Sequence, residues 1–144
     1  MKVENILDAK GRQVETIDPD TTVLLAVHRL TSMRIGALVV SGDGERVEGI
    51  LSERDIVRGL LHHGDRLVEM RVREVMSKSV EECTPGDTIK QAMALMTRTR
   101  NRHLPVVDGG KLCGLLSIGD VVKNRLEEME LETNVLRDAY IARR

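Results

Sequence analysis

The stretch that decides the fold is "GILSERD", Gly49 to Asp55, because the chain writes it a second time as "GLLSIGD", Gly114 to Asp120. In each copy an apolar, strand-like run meets Ser-x-x-Asp ahead of a helical pattern. Such a start is a capping box: the serine hydroxyl accepts from the amide three residues on, and the acid reaches back to the cap residue's own amide. Two details ask for more. The acid is Asp in both copies, where the longer Glu or Gln is usual, and Gly49 and Gly114 occupy strand positions at which glycine marks a bulge or a close backbone approach. A helix N-terminus at the end of a strand offers free amides and positive potential to an anion, and a neighbouring carboxylate can accept from two vicinal hydroxyls. Ribose phosphate meets both demands, so capping and ligand binding both stand as readings.

Working outward, the repeat extends over most of the 144 residues. Val14–Val40 matches Val80–Val107 with one extra residue in the second copy, placing Pro19 over Pro85, Thr22 over Thr88 and Ala26 over Ala92. Val47–Arg58 matches Leu112–Lys123 without a gap, and the lead-ins "VENIL" at Val3 and "VREVM" at Val72 correspond. Each copy begins with a proline-containing polar turn that caps a helix. The helix has apolar positions Val23, Ala26, Val27, Leu30 and Met33, or Ile89, Ala92, Met93 and Met96, which leaves His28, Arg29 and Arg98 outward. Two short apolar runs joined by a Gly-rich turn predict a hairpin. The Ser-x-x-Asp helix follows, with Ile56, Val57, Leu60 and Leu61, or Val121, Val122 and Leu126, as its apolar face. One such unit is too small to bury its own sheet. The expected fold is α+β: two pseudo-symmetric βαββα repeats packed through their sheets, over residues 1–65 and 66–123, with a C-terminal helical extension over 124–144. The polar His62–Arg71 reads as a linker.

Composition narrows the function classes. Hydrophobic residues make up 41% of the chain, and no apolar run approaches the about 18 residues of a membrane span. The start lacks the apolar core of an export signal, so a cytoplasmic setting is expected. With 22 basic and 23 acidic residues, no global field recruits nucleic acid or an anionic membrane, and any anion site is local. Cys83 and Cys113 lie in apolar contexts without a C-x-x-C pair, and the adjacent His62 and His63 do not share a helix face, so no metal is expected. There is no Phe or Trp and one Tyr, Tyr140, so the core must be aliphatic.

The doubled Gly-x-x-Ser-x-x-Asp signature, in its duplicated setting, resembles the tandem CBS domains named after cystathionine beta-synthase, from about Val3 to about Lys123. The resemblance implies two clefts between the repeats for adenosine-containing ligands: AMP, ADP, ATP, NAD(H) or S-adenosylmethionine. It assigns the ribose hydroxyls to Asp55 and Asp120, with Ser52 and Ser117 near ribose and phosphates and Arg54 beside them. It also implies contacts from Ile35, Gly36 and Ala37, or Arg102, His103, Leu104 and Pro105, and an adenine pocket lined by Thr16 and Ile17, or Glu82 and Cys83. Arg98, Arg100, Arg102 and His103 crowd one short segment, which is either solvated surface or a phosphate site. On the second reading the cleft using Asp120 prefers more phosphate. Gly119, where a larger residue is usual, loosens that helix start by about 1 kcal/mol relative to Ala.

The expected function is a regulatory nucleotide sensor that signals to an unidentified partner protein. No catalytic cofactor is expected, because the sequence has no nucleophile with a base, P-loop or Rossmann fingerprint. A structural dimer without ligand is the alternative, and an enzyme acting on an adenine nucleotide a weaker one. Past the second motif, Val122, Leu126, Met129, Leu136 and Tyr140 follow an a/d pattern with Thr133 in the seam. This tail either folds back on its own domain or packs on a second chain. Its high charge favours the second chain, and the resemblance also implies a homodimer.

Overall fold

The computed structural model of the chain describes residues 1–142; residues 143 and 144 of the expected C-terminal extension lie outside the described residues. The first repeat contains β1 (Thr16–Ile17), α2 (Val23–Met33), β2 (Ala37–Val40), β3 (Gly49–Ser52) and α3 (Glu53–His63), preceded by α1 (Val3–Lys10). A 3-10 helix (Gly64–Glu69) and the single-turn α4 (Val72–Val75) lead into α5 (Ile89–Thr99), β4 (His103–Asp108), β5 (Lys111–Ser117) and α6 (Ile118–Ala142). β1 runs parallel to β2, and β2 antiparallel to β3. β4 and β5 form the second hairpin, and Cys83 makes a parallel bridge to Val106 where the first repeat has β1. The order βαββα therefore holds in both copies, with the first strand of the second reduced to one bridge.

Local chemistry starts the helices as the polar turns predict. The Thr22 hydroxyl accepts from Leu25 N at 3.3 Å, and the Thr88 hydroxyl from Gln91 N at 3.1 Å. Both helices end on an arginine in the left-handed conformation, Arg34 at φ 54° and Arg100 at φ 57°. The repeats stay in step through the following turn and strand, Val40 pairing with Gly49 as Val106 pairs with Gly114, so the extra residue expected in the second copy is not there; the β-bulge at Val106/Val107 instead skips Cys113 on β5. Ala37 pairs with Ser52 and His103 with Ser117, which makes Ala37 and His103 equivalent.

The lead-ins are exchanged between the repeats. Val3 N donates to Asp87 O (2.9 Å), Glu4 N to Pro85 O (3.0 Å), and Ile89 N to Met1 O (3.0 Å). The same three bonds recur as Val72 N to Thr21 O (2.8 Å), Arg73 N to Pro19 O (2.9 Å), and Val23 N to Met70 O (2.8 Å). Accordingly Val3, Ile6 and Leu7 join the second core with Cys83, Ile89, Ala92, Met96, Leu104, Val106, Leu116 and Val121. Val72 joins the first core with Ile17, Ala26, Leu30, Leu38, Val40 and Leu51. Both cores are free of aromatic residues.

Four expectations about burial are corrected. Met33 and Met93 are exposed rather than in the core faces of α2 and α5. Arg29 turns inward, bonding Glu15 Oε2 at 2.9 Å and Thr16 O at 2.7 Å. The His62–Arg71 segment is not a loose linker, since Leu67 is 1% exposed and lies under Gly59, where a Cβ would come within 2.7 Å of it. That contact turns the expected apolar face of α3 outward, leaving Val57, Leu60 and Leu61 exposed.

Candidate functional site

The motif glycines have a packing reason. A Cβ on Gly49 would come within 2.6 Å of Met76 Sδ and 2.8 Å of Ser77 O; one on Gly114 would come within 2.6 Å of Leu7 Cδ2. Leu7 and Met76 are the last residues of the two matching lead-ins, so each motif glycine is the seat on which the other repeat's lead-in rests.

Ser52 and Asp55 form the full capping box. Ser52 N donates to Asp55 Oδ2 at 2.9 Å, the Ser52 hydroxyl donates to the same oxygen at 3.0 Å, and Asp55 N donates to Ser52 Oγ at 3.3 Å. The other oxygen, Oδ1, accepts from the Ser77 hydroxyl at 2.8 Å and lies 3.8 Å from Arg58 Nη1. Asp55 is 6% exposed, one of two buried polar residues among those described. Its local partners satisfy the helix start, while Ser77 arrives directly after the exchanged lead-in, where it makes an isolated antiparallel bridge to Ile50.

Asp55 lines a cleft of about 710 Å³ between the repeats. The first repeat contributes Gly36, Ser52, Glu53, Arg54 and Arg58, the second Arg100, Asn101, Arg102 and His103, and the connecting segment Ser77, Ser79, Val80 and Glu81. The side chains of Arg54, Arg100 and Arg102 carry no hydrogen bond or ion pair among the described residues. Burial holds the His103 imidazole below its ordinary value although Asp120 and Glu53 pull it upward. Its Cε1 would lie 3.3 Å from a Cβ on Gly36.

The second motif repeats the backbone geometry but not the surroundings. Ser117 N donates to Asp120 Oδ2 at 2.9 Å and Asp120 N donates to Ser117 Oγ at 3.1 Å. Here the carboxylate meets an ammonium: Lys10 Nζ is 2.7 Å from Asp120 Oδ2 and also donates to Leu115 O at 2.8 Å. Burial raises the Asp120 carboxyl, but the Lys10 bond and charge and the Ser117 bonds outweigh it and hold the group below its ordinary value.

Of the residues singled out from the sequence, Ser52, Arg54, Asp55, Gly36, Arg102 and His103 come together on this one cleft. Ser117 and Asp120 do not line it. Arg100, Arg102 and His103 of the arginine-rich segment line the cleft of Asp55, which corrects the expectation that the segment would serve Asp120's; Arg98 is exposed and does not line it. Ile17, Cys83 and Leu104 are core residues, Ala37 and Pro105 are buried in their sheets, and Ile35 packs against the first core. Thr16 gives its carbonyl to Arg29, and Glu82 is exposed outside the cleft. Burial, with a smaller push from Asp87, drives the Cys83 thiol up to about 12, as for an inert core cysteine. Sequence reasoning missed Arg58 and Ser77. Arg58 could have been found one helical turn after Asp55; Ser77 has no local signal, since its place depends on the lead-in exchange.

Exchanged lead-ins, paired βαββα units and a motif aspartate on an inter-repeat cleft define a paired-repeat module with a polar cleft between its halves. The chain belongs to the CBS-domain family, whose profile matches residues 6–62 and again 72–127. It is 33% identical over 147 residues to the mitochondrial CBS domain-containing protein CBSX3 of Arabidopsis thaliana, covering 96% of this chain and 71% of that one. Among solved structures it resembles a CBS-domain containing protein from Agrobacterium tumefaciens at 42% identity and TM-score 0.82, covering 86% and 92% of the two chains. It also resembles CBSX2, solved in complex with AMP, at 25% identity and TM-score 0.75, covering 89% and 98%.

Proposed function

We propose that the chain is a regulatory module that binds a phosphorylated adenosine ligand in the cleft faced by Asp55 and signals its presence to a partner protein. The observation that carries this reading is the meeting of a buried, ribose-competent carboxylate with Arg54, Arg58, Arg100 and Arg102 around one cleft. Ribose hydroxyls would take the place of the Ser77 hydroxyl on Asp55 Oδ1, like for like, while Ser52 keeps Oδ2 and the helix start intact. The α3 N-terminus and the arginines would receive the phosphates. AMP, ADP, ATP and NAD(H) suit that charge, and the sulfonium cation of S-adenosylmethionine suits it less. The complex of CBSX2 with AMP supports the ligand class.

A cleft lined from both repeats and from the segment between them gives the ligand a way to favour one arrangement of the halves, and only unequal affinity for two arrangements transmits a signal. These residues make binding contacts rather than a catalytic set, so the reading is of a sensor and not an enzyme; incubation with ATP or NADH and a search for turnover checks that part. Association with a second copy belongs to the same reading. It is supported by Val57, Leu60 and Leu61 on α3 and by Val122, Leu126, Met129, Leu136 and Tyr140 on α6, all exposed in the single chain. A cytoplasmic setting completes it. Calorimetric titration with AMP, ATP, NADH and S-adenosylmethionine tests the ligand class. Heat with the phosphorylated ligands that disappears in Asp55→Ala is the expected result, and equal heats in wild type and variant would overturn it.

A further inference from the structure

α6 is left bare by its own fold. It has one buried residue, Val121, and every residue from Met129 to Ala142 is exposed. A single helix is marginal in water, and in proteins most helical stability comes from packing an apolar face. On α6 that face is a seam: Val122, Leu126, Met129 and Leu136 are between 49% and 71% exposed, and Thr133 completes their spacing. The Thr133 hydroxyl donates to Met129 O at 2.9 Å, so burying the seam would leave no donor unpaired.

The charges beside the seam select its partner and direction. Leu126 and Thr133 take the a positions of the heptad, and Val122, Met129 and Leu136 the d positions, which puts Glu130 and Arg137 at e and Arg125 and Glu132 at g. In a parallel pair each g residue lies against the e residue of the other helix's following heptad. Arg125 then meets Glu130 of a second copy, and Glu132 meets its Arg137, each contact made twice by symmetry. An antiparallel pair matched along the same seam sets Glu130 against Glu130, Glu132 against Glu132 and Lys123 against Arg137, like charges that oppose association. The side chains of Glu130, Glu132 and Arg137 make no ion pair among the described residues, and Arg125 has an exposed contact with Glu128 at 3.3 Å.

We infer that α6 is the docking surface for a second copy of this chain, and that the two copies of α6 run parallel over residues 122–136, directed by Arg125–Glu130 and Glu132–Arg137 pairs between copies. This rests on the association with a second copy proposed above and gives it a direction. Ile118 N, at the start of α6, donates to Arg102 O at 2.8 Å, and Arg102 lines the cleft of Asp55, so the paired helices begin at the wall of the ligand site.

The test is disulfide trapping in the full chain, carrying Cys113→Ala so that the remaining native thiol is the buried Cys83. Leu126→Cys and Thr133→Cys, each alone, are treated with oxidised glutathione. A disulfide needs Cα atoms within about 7 Å. In a parallel pair every seam residue faces its own copy, so both variants give covalent dimers. In an antiparallel pair a residue meets its own copy at one height only, and positions 126 and 133 are about 10 Å apart along the helix, so at most one of them links. Sedimentation of the reduced proteins checks the charges. Glu132→Arg should associate about tenfold more weakly than wild type, and adding Arg137→Glu should restore association to within about threefold. A monomeric wild type overturns the association and this inference together. A wild-type dimer in which one cysteine position or neither links, or in which the double charge variant stays as weak as the single, keeps the association and overturns the parallel pairing.

Discussion

Gly114→Ala probes the lead-in exchange. The new methyl would meet Leu7 Cδ2 at 2.6 Å and Cδ1 at 2.7 Å, and Leu7 is fully buried in the second core. Neither group can move freely, because α1 is tied to Pro85 and Asp87 by backbone bonds. Overpacking of this kind costs about 1–3 kcal/mol. Leu7→Ala alone costs about 2–5 kcal/mol through the cavity it opens. In the double variant the added methyl enters the space the leucine leaves, so the two costs should fall short of additivity by about 1 kcal/mol or more, within the range for contacting residues. Urea unfolding of the four proteins measures this. Gly86→Ala, with nothing within 4 Å of its Cβ, is the control and should shift stability by less than about 0.5 kcal/mol. Costs that add to within about 0.5 kcal/mol would mean that α1 does not rest on Gly114, and the exchange would be refuted.

Further outcomes follow from particular contacts. Arg34→Gly removes a side chain from the left-handed region at the end of α2 and should stabilise the fold by about 1 kcal/mol, read as a higher melting temperature; a lower one would contradict the strain argument. Because Asp120 titrates below its ordinary value in the fold, the stability it contributes is present above the unfolded carboxyl's range, about pH 4, and is lost as pH falls through the lower folded value. Lys10→Met should therefore reduce the steepness of acid unfolding, and an unchanged acid profile would count against the pair. Leu126→Glu with Leu136→Glu on α6 should lower the mass found by sedimentation; an unchanged oligomer would remove this helix face from the association.

The repeat, its helix caps and the βαββα order were legible in the sequence because they depend on local spacing: Thr22, Thr88, Ser52 and Ser117 each act on an amide three residues away. The lead-in exchange was not, since Val3 touching Asp87 and Val72 touching Thr21 are long-range choices that matching motifs cannot assign. Position along the strand was only half legible. Matching the apolar runs calls for one extra residue in the second copy, but strand pairing sets Val40 against Val106 with no insertion and makes His103 the counterpart of Ala37. Periodicity also misled on α3: it marks Val57, Leu60 and Leu61 as one face, but not that Gly59, the small residue beside them, is what the core receives. At the site, Asp55 and Asp120 look alike in sequence, and their difference comes from Ser77 and Lys10, far off in the chain.

The central claim, that Asp55 and its arginines form a site for phosphorylated adenosine, is tested most directly by titrating ATP into wild type and Asp55→Ala at low and moderate salt. Saturable binding in wild type that weakens as salt rises and is absent from a folded Asp55→Ala is the predicted result. Binding of equal strength in the two proteins, or none in wild type at either salt, would contradict it.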